Sequence, residues 1–448
     1  MSHVTDKFNE ASIPKAIAKF AIPTILSQLV VLIYNLADTF FVGRTNDPTQ
    51  VAALTLSFPL FMSLTMVGNL FGIGANSYIS RSLGSGNYDK AKQASTFSFY
   101  GALAAVLMLI LGLGFFMEPI LYTVGAKTEA TFTATKQYLT WTVIYGGLPT
   151  VAALTLGHLI RGEGNVKKAS TGMILGGLLN IFLDFIFVEL LQMGANGAAI
   201  ATFLSNTVSM CYLLIHILRS KNSVICLNIG KLSLERKMIS DIIFVGLPAA
   251  AVIILGSTAN IVLTNQMSVY GDISIAAYGI IQKLGNIAIQ ITVGLTQGIM
   301  PLLGFYFGAK KMDKVREVNR YSFLILAIYA VFCVVLLVGC GEFLVRIFMK
   351  ETTTVVKATE FSKIWALCVP GMCFTNLFCS IFQAMGKWIQ SLLLSVVRQA
   401  GLLIPFILIF GNIFGEKGLV MAQPFADSVT LIFGICMYVF LERKLKEI

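Results

Sequence analysis

Charge is what this sequence has little of. Of 448 residues only 12% are Asp, Glu, Lys or Arg, while 56% are hydrophobic. A soluble multidomain protein carries roughly twice that share of charge, so that class is excluded. Histidine and tryptophan are also scarce, with three of each. No HExxH, GxSxG or GxxxxGK[ST] pattern occurs. The metallopeptidase, serine hydrolase and P-loop ATPase chemistries therefore lack their residues. The eight cysteines form no CxxC pair, and all but Cys226 lie in apolar stretches. They read as small packing residues, with no disulfide framework and no metal spacing. No cofactor and no metal are implied.

Long apolar runs are what the chain has instead. Twelve runs are long enough to cross a bilayer as helices, at about 15–43, 50–80, 94–118, 131–160, 166–189, 195–219, 239–270, 273–303, 319–341, 359–385, 389–411 and 417–441. The chain is thus read as an all-α polytopic membrane protein whose partner is the lipid bilayer. The formal charge of +11 is no sign of nucleic acid, because the basic residues sort by loop. Lys90, Arg161, Lys167, Lys168, Arg236, Lys310, Lys311 and Arg443 are assigned to one side, with far fewer on the other. The positive-inside rule then puts both termini in the cytoplasm. The polar N-terminus leads into the first run with no small-residue cleavage site, so that run is read as a retained helix.

The halves repeat at a shift of about 224 residues. Residues 22–35 (IPTILSQLVVLIYN) match 247–260 (LPAAAVIILGSTAN), and LGSGNYDKAKQASTFSF (83–99) matches FGAKKMDKVREVNRYSF (307–323). Trp141 meets Trp365, and RGEG (161–164) meets QAMG (383–386). Each half holds six spans, so the repeats share one orientation and are related by an axis along the membrane normal. The expected organisation is an N-terminal lobe (1–219), a polar basic linker (220–238) and a C-terminal lobe (239–448), around a central cavity.

Three carboxylates fall well inside the spans, Asp38, Asp184 and Asp427, while the other nineteen acids map to termini, loops or span ends. A charge at membrane depth costs a few kcal/mol or more and marks a functional position. Asp38 and Asp184 both lie in the outer half of the N-terminal lobe and could face one chamber. Asn180 is four residues before Asp184 and shares its helix face. Thr202 and Asn35 add neutral oxygens and amides. Such a set suits a shared proton or a small hard cation. Asp427 has a structural alternative, a charge pair with Arg398 or Lys283, the only basic groups read as lying at depth. Met62, Met66, Phe71, Met173, Gln282, Gln290 and Met300 are candidates for an adaptable cavity lining. The histidines are weak candidates: His3 is in the tail, His216 ends the sixth span, and His158 lies near Arg161 and Glu163.

In combination these residues resemble the multidrug and toxic compound extrusion (MATE) family, over nearly the whole chain. The opening IPTILSQLVVLIYNLADTFFVG, then YISRSLGSGNYDKAK, RGEG, Asn180 and Asp184 with IFL between them, and QAMG carry the likeness. NLFGIGANSYISRSLG and PLLGFYFGA look nearest to its MepA-like bacterial multidrug exporter branch. The resemblance implies a secondary transporter, not an enzyme, that exports amphipathic and often cationic compounds by alternating access. It further implies H⁺ or Na⁺ coupling through Asp38, Asn180, Asp184 and Thr202, in a bacterial plasma membrane. The seventh, eighth and tenth spans carry Asn260, Asn265, Gln282, Gln290, Lys283, Asn376 and Gln383 where some relatives have acids, so coupling is assigned to the N-terminal lobe. A monomer is the expected state. The alternatives are a flippase for lipid-linked precursors and, remotely, a polytopic membrane enzyme built on His158 and Glu163.

Overall fold

Apolar runs this long can satisfy their backbone in lipid only as helices. The computed structural model describes residues 7–8, 12–45, 47–220 and 222–446, and among these there is no strand. His3 lies outside the described residues. Eight spans are single helices: Ile13–Gly43, Pro48–Gly84, Tyr88–Phe115, Val166–Leu190, Gly194–Arg219, Arg236–Ser268, Asp272–Gly308 and Met312–Gly339. The fourth and tenth are broken. Glu129–Tyr145 meets Gly147–Gly162 at 47°, and Thr352–Ala366 meets Cys368–Ala384 at 44°. Pro149 and Pro370 explain both bends. Each lacks the N–H that would reach the carbonyl four residues back, which places the lost bond at the break.

The stretch Trp388–Arg443 holds two crossings. It reverses near Gly415, whose φ of 62° favours glycine. The rings of Phe410 and Phe425 are 5.0 Å apart, where one straight helix would separate them by about 22 Å. Twelve crossings result among the described residues, as the apolar runs imply. Several helices overrun the expected bounds, since a helix can extend past the hydrocarbon. The third begins at Tyr88 and the tenth at Thr352. Two short helices were not foreseen, Met117–Val124 and Gly341–Phe348. They sit at equivalent places in the two repeats.

The lobes meet tightly at the end that carries the linker. There the second span is buried from Gly72 to Ser80, and the eighth from Gly298 to Tyr306. Backbone touches backbone at glycine. A Cβ on Gly74 would lie 1.9 Å from Ile242 O, and one on Gly246 only 1.8 Å from Leu70 O. The first and eighth spans repeat this contact, Gly298 meeting Phe20 and Ala21. Ser77 Oγ donates across the seam to Gln383 O at 2.5 Å. Phe8 adds a wedge: its ring stacks on Phe305 at 4.2 Å, and its carbonyl accepts from Tyr306 OH at 2.8 Å. Overpacking at such a contact costs about 1–3 kcal/mol. Gly246→Val is therefore expected to lower the thermal unfolding temperature in detergent by several degrees. An unchanged transition would mean that the second and seventh spans do not meet here.

The linker is sewn to the N-terminal lobe. Ser223 Oγ and Val224 N donate to Glu163 Oε2 at 2.8 and 3.0 Å. Cys226 N donates to Ser95 Oγ at 2.9 Å, while Thr96 Oγ1 donates to Cys226 O at 2.8 Å. Tyr100 OH donates to Leu227 O at 2.9 Å.

Candidate functional site

The two N-terminal carboxylates come together. The first span brings Asp38 and the fifth brings Asp184, where the helix loosens into a π-helical turn over Phe185–Leu190. Their carboxyls stand within hydrogen-bonding reach of each other, with the Asn180 amide beside them. Asp38 is 7% exposed and Asp184 not at all. The Asn180 amide donates to Thr202 Oγ1 at 3.4 Å. Asp38 Oδ1, both Asp184 oxygens and Asn180 Oδ1 are buried acceptors with no donor. Buried polar atoms are almost always satisfied, and two negative charges side by side in low dielectric are costly. A shared proton or a small cation held by these oxygens answers both problems.

Asn35 is elsewhere. Its amide donates to Val31 O one turn back, and its side chain faces the central cavity. Two residues that sequence reasoning missed stand near the carboxyls, Tyr34 and Tyr138. Tyr34 is one helical turn before Asp38, a spacing that could have been read. Tyr138, on the fourth span, has no such signal.

Beside this pair a cavity of about 480 Å³ opens between the lobes. Met62, Met173, Gln290 and Met300 line it, as do Thr202 and Arg398. Met66 does not. The cavity face of the second span runs through Met62, Thr65, Asn69 and Ile73. Met66 is rotated about 100° from Thr65 and packs into a separate apolar cluster with Val67 and Phe71. Gln282 does not line it either: its amide donates to Asn260 Oδ1 at 2.5 Å and accompanies Tyr278 OH at 3.0 Å.

The sequence assigned Arg161 to a loop. It is instead buried, 1% exposed, on the cavity wall. Phe8 packs at Gly164 and the linker binds Glu163, so the turn just past the apolar run is covered. Its Nη2 donates to Met173 Sδ at 2.7 Å. His158 also lines the cavity, with Nε2 at 3.2 Å from Asn69 Oδ1. Glu163 turns to the linker and to Lys7 instead, so His158 and Glu163 form no catalytic pair. Among the described residues no Asp or Glu lines it.

In the C-terminal lobe Arg398 Nε donates to Asp427 Oδ1 at 2.5 Å, and Gln423 Nε2 donates to Oδ2 at 2.8 Å. Asp427 is fully buried. Lys283 is exposed and has no ion pair among the described residues, so the pair expected with either cation is made by Arg398 alone.

The MatE family model matches residues 23–186 and 248–409, one match in each repeat. The multidrug export protein MepA of Staphylococcus saprophyticus is 30% identical over 98% of this chain and 96% of its own length. The protein of the same name from Staphylococcus aureus strain N315 is 30% identical over the same shares. Among solved structures, the outward-facing conformation of a multidrug resistance MATE family transporter superposes with a TM-score of 0.90 at 23% identity, over 99% of this chain and 98% of that one. A MOP superfamily transporter from Pyrococcus furiosus gives 0.92 at 23% identity, over 100% and 99%. At that identity the structural likeness speaks for the fold.

Proposed function

The chain belongs to the MatE family, and from that premise we propose that it exports amphipathic organic compounds across a bacterial plasma membrane in exchange for H⁺ or Na⁺. It is a multi-pass membrane transporter and not an enzyme. One observation carries the coupling: four buried acceptor oxygens on Asp38, Asp184 and Asn180 have no donor, next to a cavity between two lobes.

The tight end carries the linker and the basic loops, which the positive-inside rule assigns to the cytoplasm. The conformer is then open to the outside. An entering cation neutralises the carboxyl pair, and the first span, weakened at Pro23 by its missing N–H, shifts or bends. The cavity changes shape and the substrate leaves outward. The ion drives this only through its unequal affinity for the two states. The names of the staphylococcal relatives support varied small-molecule substrates. Met62, Met173 and Met300 suit such a range, because thioether side chains re-pack around different shapes. For cationic compounds the cavity offers aromatic and methionine surface in place of a carboxylate. The transporter acts as a monomer. A lipid-linked precursor flippase is the second reading, favoured by Arg161 on the cavity wall.

The test is dye efflux from proteoliposomes under an imposed ΔpH or ΔNa⁺, with amphipathic dyes of either charge. One gradient is expected to drive efflux, and that gradient names the ion. If neither moves any dye, the export reading is wrong.

A further inference from the structure

We infer that the cavity seats an acidic group of the transported compound, a carboxylate, sulfonate or phosphate, against Arg161. The inference rests on the export reading above and names the substrate class for the same cavity. Arg161 is among the largest fully buried side chains of the protein. Its Nε has no partner, and its recorded polar contact is a thioether, Met173 Sδ at 2.7 Å. No carboxylate lies within ion-pair distance of it among the described residues. Glu163, two residues on, is committed to Ser223, Val224 and Lys7.

A guanidinium cannot shed its proton. Burying one without a counter-charge costs several kcal/mol. The second arginine of the cavity, Arg398, shows the contrast, since Asp427 already neutralises it. Among the described residues the cavity therefore keeps one uncompensated positive charge, and no acid lines it. Beside that charge stand two neutral polar groups, Asn69 and His158, which pair with each other. An oxyanion that displaces the Met173 thioether docks on the planar, multi-donor guanidinium and satisfies its open N–H groups. A cavity of about 480 Å³ has room for the amphipathic body behind it.

The probe is a xanthene dye with a free carboxylate, compared with its methyl ester, which has nearly the same shape and lacks the acid. Equilibrium binding to the purified transporter is read by fluorescence polarisation. Wild type is expected to bind the acid at least about tenfold tighter than the ester, a difference of the size of one charge-assisted contact. Arg161→Gln is expected to abolish the preference, and Arg161→Lys to keep part of it. Thermal unfolding of each variant identifies one that has not folded, and in that case Arg161→Met, which leaves no buried charge, replaces Arg161→Gln. Equal or tighter binding of the ester by wild type overturns the inference. So does a preference that survives in Arg161→Gln, or the absence of saturable acid binding.

Efflux from the same proteoliposomes separates this result from the export reading. If the ester is pumped and the acid is not, export stands and the acid site falls. If the acid binds as expected but neither dye is pumped, the reverse holds. A fluorescent phosphatidylglycerol in the same liposomes distinguishes the two sources of such an anion. Arg161-dependent flipping assigns the site to a lipid headgroup, and its absence alongside acid binding assigns it to soluble organic acids.

Discussion

Replacing Asp38 with Asn is expected to leave a folded transporter that no longer runs on an ion gradient. The paired carboxyls of Asp38 and Asp184 are buried and short of donors. Two ionised carboxylates about 4 Å apart repel by about 4 kcal/mol at an effective dielectric near 20. Switching a two-state equilibrium almost completely takes about 5.5 kcal/mol. Relief of this repulsion by an entering cation is thus of the right size to drive the change. Asn keeps the shape and removes the charge, so gradient-driven efflux should fall to the no-gradient rate. Thermal stability should hold or rise, because one desolvated charge has gone. Asp184→Asn should do the same, and the double variant should be no worse than either single one, since the pair works as a unit. Initial efflux rates at matched expression are the measurement. An Asp38→Asn protein that pumps like wild type would remove the coupling site from the N-terminal lobe.

Breaking the Arg398–Asp427 pair should act on stability instead. Its members are 11% and 0% exposed at 2.5 Å, and Gln423 holds the second oxygen. Removing either partner strands a buried charge, at a cost of about 3–5 kcal/mol. Arg398→Met and Asp427→Leu singly should each give large drops in unfolding temperature. Together they should recover most of the loss, because an apolar pair replaces the ionic one. If instead both single variants unfold like wild type but lose gradient dependence, the pair belongs to the coupling machinery.

The carboxylates were legible in the sequence because a charge inside an apolar run stands out against everything around it. Asn180 followed from its spacing of four. The twelve crossings, including the reversal near Gly415, were legible from the apolar runs. The bends in the fourth and tenth spans were not, although Pro149 and Pro370 mark them. Pro23, Pro59, Pro248 and Pro301 also lie inside spans and leave single helices, so a proline in a span does not by itself say which helix breaks. Met66 was misread because one residue of helix rotation separates cavity from packing, and the sequence does not say where the cavity axis lies. Arg161 was misread because depth along a helix was taken for burial. Phe8 and the linker cover that end of the protein, and neither is apolar enough as a stretch to announce itself. Lys283 shows the converse, a charge within an apolar run that nonetheless faces out.

The stitching of the linker has a mechanical consequence. Ser223 to Leu227 are tied to Glu163, Ser95, Thr96 and Tyr100, all on the first lobe. Only residues 228–235 are left to reach the helix that starts at Arg236. Fully drawn out, that leash extends about 26 Å. Its slack sets the widest aperture this end can reach, and that limit belongs to a short surface strap and to neither bundle.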